Sequence, residues 1–205
     1  TYVESQYWQS SVSLFGRATK VTENNSLAFY NMGTEQLSDG MLDDAIRSYK
    51  EAVRIRPDYI NAHLNMGIAH MRQTENEEAA ECFRRIIELR PSHADAHINL
   101  GTVLFRLKRF EEAAEEYREV IRLQPDSASA LYSLGLALAR LAQDQEAADA
   151  YTSALQADPT YTDAKNALQD LSAGREETGL EGEDDKPFGL KPAFHHSVRS
   201  STTGG

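Results

Sequence analysis

Cysteine is almost missing from this 205-residue chain: Cys82 stands alone. One thiol makes no intrachain disulfide, so stability must come from packing, and on a helical apolar pattern a lone cysteine reads as a small core residue. Long hydrophobic runs are missing too. No stretch reaches the roughly 18 apolar residues that span a bilayer, so membrane insertion within this chain is not expected. Positive charge is in the minority, with 21 Lys and Arg against 32 Asp and Glu and a net charge of −11. An acidic chain without a Lys/Arg stripe excludes nucleic acid as the main ligand. Neither a Gly-rich phosphate loop nor a nucleophile elbow occurs, so no enzyme activity and no cofactor are expected. A leader segment is also not visible, but the sequence opens on Thr1 rather than Met, so that carries no weight.

What is present is a repeat. Pro57, Pro91, Pro125 and Pro159 are each 34 residues apart, and around them the chain aligns with itself without a gap. With the proline at position 32, the repeats run 26–59, 60–93, 94–127 and 128–161. Position 8 is then Gly33, Gly67, Gly101 and Gly135, and position 20 is Ala45, Ala79, Ala113 and Ala147. Position 24 is Tyr49, Phe83, Tyr117 and Tyr151, and position 7 is Met32, Met66, Leu100 and Leu134. Positions 4, 7, 8 and 11 keep helical spacing and give a first helix one buried face; positions 20, 24 and 27 do the same for a second. Small residues at 8 and 20 let the two helices approach. The proline stops the second helix. Asp58, Ser92, Asp126 and Thr160 follow it and are expected to cap the next one. A helical hairpin of this size cannot bury its apolar face alone, so stacking is its source of stability.

A 34-residue period with this pattern resembles the tetratricopeptide repeat (TPR). The resemblance implies an all-α, right-handed superhelical solenoid that binds a protein or peptide partner in its concave groove. The frame also continues beyond the four repeats. Trp8, Ser11, Phe15 and Ala18 fall at positions 17, 20, 24 and 27, which makes residues 1–25 a half repeat containing only a second helix. Residues 161–172 begin another first helix, with Lys165, Gln169 and Ser172 at packing positions 4, 8 and 11, as a polar capping helix requires. From residue 173 onward Gly, Pro, Ser and acidic residues dominate without periodicity, and residues 173–205 read as a disordered tail.

At 100° per residue, positions 2, 6, 9 and 13 of the first helix lie opposite the buried face, and in TPR proteins that side lines the groove. Position 6 is Asn31, Asn65, Asn99 and Ser133; position 9 includes Thr34 and Thr102; position 2 includes Asn61; position 13 includes Arg72, Arg106 and Arg140. An asparagine amide offers both a donor and an acceptor, which matches any peptide backbone. The segments around Asn65 and Asn99 resemble the groove-lining helices of O-GlcNAc transferase TPR domains, where an asparagine ladder holds peptides. The other reading is that these asparagines bond to neighbouring helices. The arginines suit either ligand acids or the helix end near which they lie. The cationic clamp by which chaperone-partner TPR domains hold a C-terminal carboxylate is absent, because positions 5 and 6 carry no cation.

His93 and His97 are spaced i, i+4, but without a third ligand they read as structural, and no metal is expected. Tyr7-Trp8, then Leu14-Phe15, then Thr22-Glu23-Asn24-Asn25 resembles the junction of bacterial membrane glycosyltransferases and related transmembrane TPR proteins, where the last membrane helix passes into a TPR tail. Glu23 replaces a proline of that pattern. The resemblance implies a soluble module on the periplasmic or extracytoplasmic face, with any transferase chemistry lying upstream. The alternative is a free-standing soluble adaptor or assembly factor in the cytoplasm. The exposed edges of the end repeats also offer a surface for self-association.

Overall fold

The computed structural model describes residues 25–173. The half repeat and the tail expected at the two ends lie outside the described residues, apart from Asn25 and Ala173. Within them the chain is helical and strandless. The first helices of the repeats are α1 (Ser26–Ser38), α3 (Ile60–Arg72), α5 (Ala94–Arg106) and α7 (Ala128–Arg140). The second helices are α2 (Leu42–Ile55), α4 (Asn76–Leu89), α6 (Phe110–Leu123) and α8 (Asp144–Ala157), and α9 (Thr162–Ser172) follows. Every first helix starts at position 1 and every second helix at position 17. Each helix packs on the next in the chain, and α1 also touches α3.

Both kinds of turn repeat to the residue. Each first helix ends in a Schellman-type motif: the position-16 N–H of Met41, Glu75, Arg109 and Gln143 donates to the position-11 carbonyl of Gln36, His70, Leu104 and Leu138. That geometry needs a left-handed residue at position 15, and Gly40, Thr74, Lys108 and Ala142 all have positive φ, between 56° and 76°. Each second helix ends ahead of the proline on an extended residue (Arg56, Arg90, Gln124, Asp158), as the clash with the proline ring dictates. A turn follows, in which Tyr59, His93, Ser127 and Tyr161 donate back to that residue's carbonyl at 3.1 Å.

This turn corrects the expected caps. Asp58, Ser92, Asp126 and Thr160 are used up inside it, so the N-cap falls one residue later. His93 Nδ1 and Ser127 Oγ accept from the N–H groups of Ala96 and Ala130, whereas Tyr59 and Tyr161 provide no side-chain cap. Asn25 caps α1 in the same way, accepting from Ala28 at 2.9 Å.

The core runs along the stack. Position 24 is its centre: Tyr49, Phe83, Tyr117 and Tyr151 are at most 2% exposed. Each ring lies against the position-8 glycine of its own repeat, so close that an added Cβ would come within 2.4–2.8 Å of a ring carbon. Cys82 is buried beside Gly67, and burial pushes its thiol pKa up to about 12, which makes it an inert core residue. At the C-terminal end, Ala164 is fully buried, Ala167, Leu168 and Leu171 pack on the last repeat, and Lys165, Asn166 and Gln169 face outward.

Candidate functional site

Sequence periodicity gave the first helix one packed face and left the rest open. In the stack, α3 packs on α2, α4 and α1 together, so little of its circumference stays free. Asn65 is therefore buried, at 3% exposure; Asn99 and Thr102 on α5 and Ser133 on α7 are buried as well, at 9%, 2% and 6%, and the expectation that positions 6 and 9 stand on an open face is corrected. They line a seam between adjacent first helices. Asn31, Thr34 and Asn61 are half-buried, and on the open side of the seam Leu27, Asp95 and Ser129 are exposed.

The floor of this seam is polar. Tyr49 Oη donates to Thr34 Oγ1 at 3.3 Å, and Asn65 Nδ2 donates to Tyr30 Oη at 3.5 Å while its amide also faces the Tyr49 hydroxyl. Burial pushes the Tyr49 and Tyr117 pKa values up to about 12, so both stay neutral donors. Thr34, Thr102 and Ser133 donate their own protons to the carbonyl four residues back, at 3.0, 2.9 and 2.8 Å. That leaves them acceptors, not donors, toward the seam. Tyr117 Oη lies beside Thr102 and Ser133 without closing a hydrogen bond to either. Where position 24 loses its hydroxyl, at Phe83, position 9 of that repeat is the apolar Ile68. The pairing is not kept along the stack, since the fourth repeat sets Tyr151 against the apolar Leu136.

Position 13 has a job the sequence reading only half anticipated. Arg72 Nη1 donates to the Leu37 carbonyl at 3.2 Å, and Arg106 Nη1 to the Met71 carbonyl at 3.4 Å. Each arginine thus reaches the last turn of the preceding first helix, where open carbonyls and the negative dipole end favour a cation. Arg140 lies over the rings of Phe105 and Phe110, at 5.4 and 5.9 Å. Arg72 is exposed, and Arg106 and Arg140 are half-buried.

The two position-4 histidines are bonded to backbone carbonyls. His63 and His97, at position 4, bond the carbonyls of Pro57 and Pro91 at 3.0 and 2.8 Å, and His97 Nδ1 also meets Glu116 at 2.6 Å. Among the described residues no group of three or more His, Cys, Asp or Glu side chains is placed to hold a metal, and no helix is long and apolar enough to cross a membrane.

Repeating helical hairpins with this turn chemistry define a tetratricopeptide-repeat solenoid. Tetratricopeptide-repeat family models match residues 35–74, 64–128 and 109–162, and the chain belongs to that family. Such proteins are generally non-catalytic scaffolds for protein–protein contacts, and neither model describes a catalytic family. The chain is similar to a crystal structure of MamA, with 26% identity over 74% of this chain and 88% of that one and a TM-score of 0.69. MamA from Desulfovibrio magneticus RS-1 (residue 41 to the end) is likewise 26% identical, over 73% and 84%, with a TM-score of 0.69. The first TPR domain of Spaghetti (RPAP3), solved with the HSP90 peptide SRMEEVD, matches 56% of this chain and 91% of its own at 23% identity and a TM-score of 0.55, and shows the shared fold. No curated protein matches the sequence.

Proposed function

We propose that this chain is a non-catalytic scaffold that holds an extended peptide along the seam of its first helices. The observation that carries this is the amide row. Asn31, Asn65 and Asn99 recur every 34 residues, and no hydrogen bond among the described residues involves the side chain of Asn31 or Asn99. Asn65 makes one long bond, at 3.5 Å, and faces the Tyr49 hydroxyl. Asn31 and Asn99 therefore keep a donor and an acceptor for a backbone and Asn65 keeps its amide oxygen, with Asn61 beside the row and Thr34 presenting an acceptor for a peptide N–H. Arg72, Arg106 and Arg140 flank it with cationic N–H donors for ligand acids. The resemblance of residues 7–25 to the membrane junction of bacterial glycosyltransferases supports placing this scaffold as the soluble module of such an enzyme. A free-standing adaptor is the alternative, and the coding sequence upstream of Thr1 discriminates them by whether it encodes several membrane spans.

The test is a triple variant, Asn31→Ala, Asn65→Ala and Asn99→Ala, titrated against peptides selected on the parent protein from a displayed random library. Each lost hydrogen bond is worth about 0.5–1.5 kcal/mol net, so three together weaken binding at least tenfold. Burial of Asn65 and Asn99 adds a modest packing loss, so unfolding is measured alongside. Unchanged affinity with a much lower melting temperature would make the asparagines purely structural.

A further inference from the structure

One buried histidine is surrounded by more acceptors than a neutral ring has protons. His97, at position 4 of α5, is 6% exposed. Its Nε2 lies 2.8 Å from the Pro91 carbonyl, and its Nδ1 lies 2.6 Å from Glu116 Oε2 on α6. A carbonyl and an ionised carboxylate only accept, whereas a neutral imidazole carries a single N–H. In the neutral state one nitrogen would therefore turn a lone pair on an oxygen at hydrogen-bond distance, inside a buried contact. The imidazolium donates to both oxygens, and a hydrogen bond between charged partners is about twice as strong as a neutral one.

Two other histidines of the stack lack this arrangement. His63, at position 4 of the repeat before, bonds the Pro57 carbonyl at 3.0 Å, but Cys82 stands where the third repeat has Glu116. His70 meets Glu75 through Nδ1 at 2.6 Å, but its Nε2 bonds nothing among the described residues, so one N–H is enough. The charges around His97 fit a proton on its ring. On α6, Glu119 acts on it beside Glu116, and the hydrogen bond from Arg122 holds Glu119 below the ordinary carboxylate range, so that it stays ionised. In the turn ahead of α5, burial lowers the pKa of His93, on which Asp95 and Arg90 also act. On α4, Arg85 and Glu88 pair with each other at 2.8 Å, Arg84 acts on Glu112, and none of the three bonds His97.

We propose that His97 is a proton-operated clasp: protonated, it ties the Pro91 turn to Glu116 on α6 and holds α5 between them, and deprotonated, it lets go of one of the two. The folded state keeps a proton that the unfolded chain gives up. Its contribution is therefore fully present below the ordinary imidazole value of about 6.5 and is lost as pH rises past it. That is opposite in sign to His63, whose depressed pKa makes its contribution fade in acid. The third repeat is thereby held more firmly at low pH than at high pH. The clasp needs no ligand, so it stands whether or not a peptide occupies the seam.

The experiment is urea unfolding of the full chain between pH 6 and pH 8 at constant ionic strength, followed by circular dichroism. Glu116→Gln is the main variant. Its amide N–H can donate to the bare Nδ1 of a neutral ring while Nε2–H keeps the Pro91 carbonyl, so no extra proton is needed. Across this range the folding equilibrium constant of the parent should fall at least fivefold relative to that of Glu116→Gln, and at pH 8 the variant should be at least as stable as the parent. A lost structural contact would instead weaken the variant at every pH. His97→Gln cannot titrate either and should give the same flatter curve, which decides the matter if Glu116→Gln folds poorly. Glu75→Gln removes the carboxylate of the other histidine pair and should follow the parent. Parallel curves for the parent and both position-97 and position-116 variants would overturn the clasp, as would an equal flattening in Glu75→Gln.

Discussion

Gly101→Ala tests the packing register most sharply, because two effects of known sign oppose each other there. Replacing glycine by alanine inside a helix stabilises it by about 0.5–1 kcal/mol. At this site, however, the new Cβ would lie 2.7 Å from Tyr117 Cε1 and 3.0 Å from Cδ1 and Cζ. Tyr117 is 1% exposed, so its ring has no room to step aside. Overpacking a filled core costs about 1–3 kcal/mol. The balance is a net loss of roughly 0–2.5 kcal/mol by these two ranges. The sign should reverse where the ring is gone: in a Tyr117→Leu background the same glycine change should stabilise by about 0.5–1 kcal/mol. Urea unfolding followed by circular dichroism on the four proteins of this cycle gives the coupling directly. Gly40→Ala serves as a contrast, since nothing lies within 4 Å of its Cβ and its φ is +76°. It should lose about 1–2 kcal/mol through the backbone alone, whatever stands at position 117. If Gly101→Ala stabilises the parent by the full helix-propensity gain, the close approach of α5 and α6 is wrong.

Thr74 is a β-branched residue at φ +61°, so Thr74→Gly should stabilise the protein by up to about 1 kcal/mol despite glycine's greater unfolded-state entropy, as a raised urea midpoint would show. Tyr117→Phe should leave stability unchanged or raised, because its hydroxyl closes no hydrogen bond, whereas Tyr49→Phe, which loses the bond to Thr34, should cost about 0.5–1.5 kcal/mol; equal effects at both would refute the distinction. Burial holds the His63 pKa below its ordinary 6.5, against the opposing pull of the Pro57 carbonyl. The unfolded chain therefore takes up the proton first, so His63 favours the folded state above its ordinary value and that contribution is lost as pH falls toward the depressed folded value. Unfolding between pH 7 and pH 5 should accordingly weaken the parent more than His63→Gln, and parallel curves would refute this.

Much of the architecture is legible in the sequence. A 34-residue period with glycine at 8, alanine at 20, an aromatic at 24 and proline at 32 leaves one consistent way to bury the apolar faces, and local rules place the helix ends. His63, His97 and Cys82 stand in columns of the packing face, and all three are buried in the stack. What the sequence could not decide lies between repeats. Whether Asn65 stands on a surface or in a seam depends on how many neighbours surround α3, and periodicity along one helix counts only one of them. The reach of Arg72 to Leu37 and of Arg106 to Met71 crosses 35 residues, a distance no local rule links. The cap slipped from Asp58 to Tyr59 because a turn of fixed geometry consumed the earlier residue, a competition between two local motifs that only the folded backbone resolves.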